Sequence, residues 1–407
     1  MTTKSKVPQI RFKGFSGEWD SLGFTDAFTN ISNNSLSRAE LNYEHGKAKN
    51  VHYGDVLINF GELLDIKKEK VPFITNSEFV DKYKSSKLQN GDIVITDAAE
   101  DETVGKCTEI VNTQDEIVLS GLHTIAVRPS KEFASKYLGY YMNSASYHDQ
   151  LLPLLQGTKV LSISKSAIKN TEIEYPHDSL EQTKIGNYFQ QLDKLIEQKE
   201  KKHQKLKQFK KAMLDKMFPK HGADAPEIRF KGFSGKWEEK ELGYIANITI
   251  GEFVIKTKQN PSSPYPVYNG GKSYTGFYDE FNNDGNKIII SARGANAGYV
   301  NFETRKYWAG NSCYSIDFLD KNLYYIEFFY HYIKKNENRF TDYQQAANIP
   351  SVSKADAQKF IVHFPNIDEQ TKIGNYFQKL DKQIDLQQKE IEKLKNIKKA
   401  SLDKMFV

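Results

Sequence analysis

Two cysteines in 407 residues, Cys107 and Cys313, lie far apart and outside any CxxC or Cys/His spacing. That excludes a disulfide framework or a zinc module, and leaves two buried free thiols as the plain reading. No apolar run approaches the ~18 residues of a membrane span. The opening MTTKSKVPQIRFKGF has no apolar signal core, so a cytoplasmic protein with no membrane partner is expected. Catalytic signatures are missing too. Gly270-Gly271-Lys272-Ser273 imitates the end of a phosphate loop, but the required first glycine falls on Pro266. Asn260-Pro261-Ser262-Ser263 fails the last two positions of an N/D-P-P-Y/F methyltransferase motif. No HExxH, GxSxG or glycine-rich dinucleotide turn occurs, and nine scattered histidines show no metal spacing. Glu-x-Lys pairs such as Glu238–Lys240 are expected by chance in a lysine-rich chain. No catalytic residue, metal or resident cofactor is therefore predicted. The residues describe a binding scaffold.

What is present points the same way. Hydrophobic residues at 39% with a mean hydropathy of −0.63 suit globular domains, and a prior of about 150 residues each gives two or three of them. The net charge of +5 is unevenly placed. Residues 181–219 hold 10 lysines against 5 acids and residues 368–407 hold 9 against 7, which leaves the rest of the chain slightly acidic.

Two blocks are repeated. PQIRFKGFSGEW (Pro8–Trp19) returns as PEIRFKGFSGKW (Pro226–Trp237), and EQTKIGNYFQQLDK from Glu181 returns as EQTKIGNYFQKLDK from Glu369. The long blocks end DKMFP and DKMFV. Between box and block the two halves barely agree. Their nearest echo is NGDIVIT at Asn90–Thr96 against GNKIIIS at Gly285–Ser291; similarity resumes at LSISK (Leu161–Lys165) and PSVSK (Pro350–Lys354). A frame built twice around divergent inserts implies one job performed twice on different targets.

Each long block follows a proline, carries an Asp178-x-x-Glu181 or Asn366-x-x-Glu369 capping arrangement, and steps its apolar residues by alternating four and three. The seam reads Ile185, Phe189, Leu192, Ile196, His203, Leu206 in the first and Ile373, Phe377, Leu380, Ile384, Gln387, Ile391, Leu394 in the second. Such a 3.5-residue period predicts a coiled coil. A parallel pairing would set Lys210 against Lys398. An antiparallel pairing sets Lys199 near Ile391 and His203 near Gln387, and is favoured. The expected fold is α+β, with two globular α/β domains held apart by two long helices in an antiparallel coiled coil, related by a pseudo-twofold duplication. The boundaries expected are 1–178 for the first box and domain, 179–219 for the first helix, 220–366 for linker, second box and domain, and 367–407 for the second helix.

The variable regions hold the polar recognition chemistry. Asn269, Lys272, Ser273 and Tyr274 lie in a turn-rich stretch, and Arg293 and Asn296 follow an apolar strand-like run. Arginine and asparagine are common readers of guanine and adenine edges, and glycines allow close backbone approach. The matching place in the first half is Asp97–Lys106, with Lys106 itself and then His123 in Ser120-Gly121-Leu122-His123. Thr158, Lys159 and Asn348 sit where loops return to the frame. Any one of these taken alone reads first as an ordinary turn.

With the duplicated PxIRFxGFxGxW box, the GDIVIT segment, the IS-K…P…EQTKIG run and the helix ending DKMF in place, the chain resembles the specificity subunit of type I restriction–modification systems over essentially its whole length. The resemblance implies two target recognition domains, each reading half of a bipartite site in double-stranded DNA. It also implies two methyltransferase subunits docked on the helical frame and two restriction/translocase subunits in the full complex. S-adenosylmethionine, ATP and magnesium would then belong to the partners, and the chain would be non-catalytic. The other reading is a coiled-coil adaptor whose end domains bind proteins, which the near-neutral variable regions suit. How the first box meets the second helix is left open by the sequence.

Overall fold

The computed structural model describes residues 6–340 and 350–407. The chain divides into two compact units: Met1–Lys199 together with Glu390–Val407, and Glu200–Lys389.

The first unit is built on a sheet of β1 (Phe28–Ile31), β2 (Leu63–Asp65), β3 (Ile93–Thr96), β4 (Cys107–Val111) and β5 (Thr124–Pro129), in the order β1-β5-β3-β4-β2. β3 reads IVIT and is buried along its length, because both of its faces are covered. The second unit is built on β6 (Ala246–Ile250), β7 (Lys287–Ser291), β8 (Val300–Glu303) and β9 (Cys313–Phe318), in the order β6-β9-β7-β8. This is the first sheet without β2. The NGDIVIT and GNKIIIS echoes are therefore the same central strand, β3 and β7. A smaller sheet accompanies each, with Lys49–Val51 parallel to Val118–Ser120 and Tyr265–Tyr268 parallel to Trp308–Ala309.

The long blocks are single helices, α1 (Ser179–Met217) and α2 (Ile367–Met405), 39 residues each and ~58 Å long at about 1.5 Å per residue. Asp178 and Asn366 cap them, with Leu180 and Glu369 donating backbone N–H to the respective side chains at 2.8 and 3.0 Å. The capping box expected at Glu181 and Glu369 does not close. Both carboxylates are taken instead by arginines of the repeated box: Arg11 makes two bonds of 2.7 Å to Glu181, and Arg229 reaches Glu369 at 2.8 and 2.5 Å. The two glutamates are 1% and 0% exposed, and a guanidinium neutralises a buried carboxylate far better than a backbone amide can.

This pairing explains why box and block recur together: the box covers the start of the helix. Phe12 stands edge-on to Tyr188 and Phe230 to Tyr376, at 5.9 and 5.8 Å. Lys184 lies over Phe15 and Lys372 over Phe233, at 4.7 and 4.8 Å. Gln182 and Gln370 receive the backbone N–H of Ala134 and Tyr325. Gly374 brings its helix too close to neighbouring chain for a Cβ, which would meet Tyr325 at 2.7 Å, and Gly186 leaves a Cβ only a tight 3.0 Å from Lys136. The Glu, Gln, Lys, Gly and Tyr of EQTKIGNYF thus each have a local duty.

The junction left open by the sequence is closed. Ile10 donates its N–H to Lys404 O, as Ile228 does to Lys216 O, both at 2.9 Å. The DKMF ends are core residues: Met405, Phe406 and Val407 are buried in the first unit, and Met217 and Phe218 in the second. Inside the first unit Tyr188 meets Ser401, Asp193 meets Lys398 and Lys199 meets Glu390, at 3.1, 2.7 and 2.6 Å. Inside the second, Lys210 meets Asp381. Phe218, just past α1, stacks on Phe377 at 5.6 Å. Partners thus rise along α1 as they fall along α2, and the segments run antiparallel within each unit. Lys398 is further neutralised by Glu62 at 2.7 Å. Of the seam residues, Ile185, Phe189, Ile196, His203, Ile373, Phe377, Leu380 and Ile391 are buried, while Leu192, Leu206, Ile384, Gln387 and Leu394 are half-buried. No helix among the described residues is long and apolar enough to cross a membrane.

Candidate nucleic-acid interface

At the end of β3 three separate stretches converge. Asp97 donates its N–H to His123 O at 3.2 Å, and its own carbonyl accepts Ile163 N–H at 2.8 Å. Ala98–Ala99 then pairs with Leu161–Ser162, and Gly105 N–H returns to Thr96 O at 3.0 Å. The same crossing is made at the end of β7. Ala292 donates to Ser312 O at 2.7 Å, accepts from Val352 at 2.8 Å, and Gly298 N–H returns to Ser291 O at 2.8 Å. Arg293 bridges to Ser351 where Ala98 pairs with Ser162. Backbone hydrogen bonds are kept and side chains are changed. Position by position, His123 corresponds to Ser312 and Ala98 to Arg293.

In the first unit the crossing presents His123, whose φ of +55° is a left-handed conformation that costs a non-glycine residue energy. Its half-exposed ring approaches Asp97 Oδ1 through Nδ1 at 3.1 Å and stands edge-on to Tyr53 at 5.2 Å. The turn below is fixed by Thr124, whose hydroxyl donates to Gly121 O at 2.6 Å. Asn33 Nδ2 also donates to that carbonyl, at 3.3 Å, while Lys165 Nζ donates to Asn33 Oδ1 at 3.1 Å. Thr158 and Lys159 are exposed on a short hairpin closed by Gln156 and Ser162, with Gly157 at φ +110°. Lys106 turns the other way. Its ammonium donates to Leu57 O at 2.8 Å, and burial draws its pKa down.

In the second unit Asn269, Lys272, Ser273, Tyr274, Arg293 and Asn296 come to one place. Ser312 N–H donates to Asn269 Oδ1 at 3.3 Å, and Ser291 Oγ and Asn301 Nδ2 donate to Gly271 O at 3.1 and 3.3 Å. Gly270 N–H points at Cys313 Sγ, at 3.0 Å. Lys272, Ser273, Tyr274 and Arg293 are exposed, and Asn296 is half-exposed in the turn closed by Ala297 N–H to Gly294 O. Neither Lys272 nor Arg293 has an ion pair or side-chain hydrogen bond among the described residues, which leaves both charges for a ligand. Asn348 lies outside the described residues. Asn33, Tyr53 and Lys165 were not singled out from the sequence. Lys165 had a signal in the shared LSISK/PSVSK segment, whereas Asn33 and Tyr53 are placed only by the folded chain.

Comparison with known proteins agrees with this architecture. The model of the type I restriction modification DNA specificity domain matches twice, over residues 44–208 and 234–396. A Mycoplasma genitalium protein named as a type I specificity subunit is 22% identical over 267 residues, covering 65% of this chain and 70% of that one. A Methanocaldococcus jannaschii protein named as the specificity subunit of the type I restriction enzyme MjaX is 24% identical over 373 residues, covering 85% and 82%. The crystal structure of a type I restriction–modification S subunit from M. genitalium superposes with a TM-score of 0.67 at 18% identity, covering 98% of this chain and 99% of that one. A second solved chain, from work on complex assembly and conformational transition of the type I system, gives 0.53 at 16% identity, over 94% and 96%. The structural likeness defines the class as one fold, a duplicated two-unit architecture. The family model spans most of the sequence, and this chain belongs to the type I restriction–modification DNA specificity family. It is a specificity subunit of such a system.

Proposed function

We propose that each unit reads one half of a bipartite DNA target through its three-stretch crossing, and that α1 and α2 form an antiparallel coiled coil joining the two readers. The carrying observation is the crossing itself: the same backbone hydrogen bonds occur after β3 and after β7, under different side chains. A fixed backbone under changed side chains is what a pair of readers for different half-sites requires, since bases are discriminated by side-chain groups in the groove. The reader of the first half-site would use His123, Thr158, Lys159, Asn33 and Lys165; the second would use Asn269, Lys272, Ser273, Tyr274, Arg293 and Asn296.

The proposal extends to the assembly. The boundaries 1–178, 179–219, 220–366 and 367–407 separate readers from frame, and the lysine-rich helices dock two methyltransferase and two restriction/translocase subunits. S-adenosylmethionine, ATP and magnesium act on those partners, the chain itself is non-catalytic, and the assembly works in the cytoplasm. The local antiparallel contacts Lys199–Glu390 and Lys210–Asp381 support the coiled-coil reading. The test is an exchange of residues 244–349 for the equivalent insert of a relative, in cells that also express the methyltransferase. Methylated-adenine sequencing should show one half-site changed and the other kept; alteration of both halves refutes modular reading.

A further inference from the structure

We infer that Phe253 is an apolar wedge that enters the base stack of the half-site read by the second unit. The inference rests on the reading that the Asn269–Arg293–Ser312 cluster faces DNA, and adds a residue outside that cluster. Phe253 lies in the loop that follows β6 and is 73% exposed, between Ile250 and Ile255, themselves 49% and 42% exposed. The loop is firmly held. Gly251 N–H donates to Cys313 O at 3.1 Å and Glu252 N–H to Ala309 O at 2.9 Å. Ile255 N–H donates to Tyr278 Oη at 2.6 Å, and that hydroxyl donates back to Ile255 O at 2.7 Å.

Glycine is required on both sides of this contact. A Cβ at Gly251 would lie 2.2 Å from Ala309 O, and one at Gly310 would meet Asn269 Oδ1 at 2.3 Å and Val254 Cγ2 at 2.8 Å. Val254 is thus packed on the turn of Gly310 and Ser312, against which Asn269 also rests, while Phe253 beside it is exposed. Lys256 and Lys258 follow the loop, and Lys272 and Arg293 belong to the cluster. All four are exposed, and none makes an ion pair or side-chain hydrogen bond among the described residues. Exposed Glu252 is the one carboxylate on the loop, against Lys256 and Lys258. A firmly held aromatic with this cationic excess suits a polyanion with stackable faces better than an apolar protein groove. Phenylalanine wedges unstack base steps in this way, with lysine and arginine holding the backbone. The corresponding stretch of the first unit, 32–35 after β1, is polar and engaged through Asn33, so the wedge is a property of the second half-site alone.

The test uses the full chain with its methyltransferase subunits and duplexes of the methylome-mapped target, 2-aminopurine replacing one adenine at a time in either half-site. The wild type should brighten the probe at a second-half step other than the methylated adenine. Phe253→Ala should abolish that rise and weaken binding on the order of 10- to 100-fold, with the first half-site unchanged; Phe253→Leu should keep part of both. The wedge is overturned if Phe253→Ala leaves the second-half signal intact. It is equally overturned if the variant dims both half-sites together or stops the methyltransferase subunits from co-eluting, since Phe253 is then a protein contact. Arg293→Ala and Lys272→Ala run beside it. If they too keep full affinity the cluster reading itself fails, whereas their loss with an unaffected Phe253→Ala removes the wedge alone.

Discussion

Replacing Phe406 or Phe218 by alanine should loosen one unit and spare the other. The two rings hold equivalent places at the ends of α2 and α1, 4% and 0% exposed. Phe406 touches Trp19, Tyr137, Tyr141 and Phe189 at centroid distances of 6.3, 5.9, 5.7 and 5.6 Å. Phe218 touches Trp237, Phe328, Tyr332 and Phe377 at 6.2, 5.3, 5.7 and 5.6 Å. Truncating a fully buried phenylalanine costs ~3–5 kcal/mol, and aromatic pairs add to area burial, so the upper part of that range applies. Against a domain stability of about 5–15 kcal/mol this is a large fraction. At one decade per ~1.4 kcal/mol, amide protection governed by unit opening should fall about 1,000-fold. Hydrogen exchange read by mass spectrometry on the full chain distinguishes the two: Phe406→Ala should deprotect β3 and β5, and Phe218→Ala should deprotect β7 and β9. If Phe406→Ala leaves β3 protected, or loosens β7 as much as β3, the assignment of helix ends to separate cores is wrong.

The units should also answer pH in opposite senses. Burial pushes the Glu109 carboxyl up from 4.5 to about 7, so the folded chain keeps a proton that the unfolded chain releases, and the first unit loses stability as pH rises across that window. Burial, reinforced by Lys210, pushes His331 down from 6.5 to about 3, so the unfolded chain binds the proton first and the second unit weakens as pH falls below 6.5. Glu109→Gln should flatten the first slope and His331→Phe the second, measured by hydrogen exchange between about pH 5 and 7; an unchanged slope counts against the group concerned. Arg293→Ala should weaken specific DNA binding far more than nonspecific binding, by about 1–3 kcal/mol if the guanidinium makes a bidentate base contact; equal loss marks a phosphate contact. A heptad inserted in each helix, near Lys201 and Lys389, keeps the seam in phase and adds ~10 Å. The mapped spacer should then lengthen by up to about 3 bp with both half-sites kept, and methylation at only the original spacing refutes the helices as a ruler.

The repeated frame was legible because near-identity over two blocks is unmistakable. The reason for the repetition was not, since Arg11 and Glu181 stand 170 residues apart and only folding joins them. Lys398 shows the same limit. A lysine in a seam reads as a liability, and its neutralisation by Glu62 comes from 336 residues away. The central strands β3 and β7 were visible as apolar runs. The turns they cross were not visibly equivalent, because GLHT and GNSC share one glycine and the likeness resides in backbone hydrogen bonds. Lys106 follows a glycine in a loop and reads as surface, yet the carbonyl of Leu57 turns it inward.

The first unit is discontinuous in sequence while the second is contiguous, and this inverts the order of completion during synthesis. When residue 199 has been made, Trp19, Tyr137 and Phe189 have no Phe406 to close against. Residues 200–389 must be made first, which at about 5–20 residues per second delays closure by roughly 10–40 s. At the end of that interval the second unit has all of its own residues, whereas the older one still lacks Phe406 and the rest of 390–407. A message truncated after residue 389 would yield a finished second reader tethered to an unfinished first. The half translated earliest is the half that matures last, and it is the half that chaperones and proteases have longest to inspect.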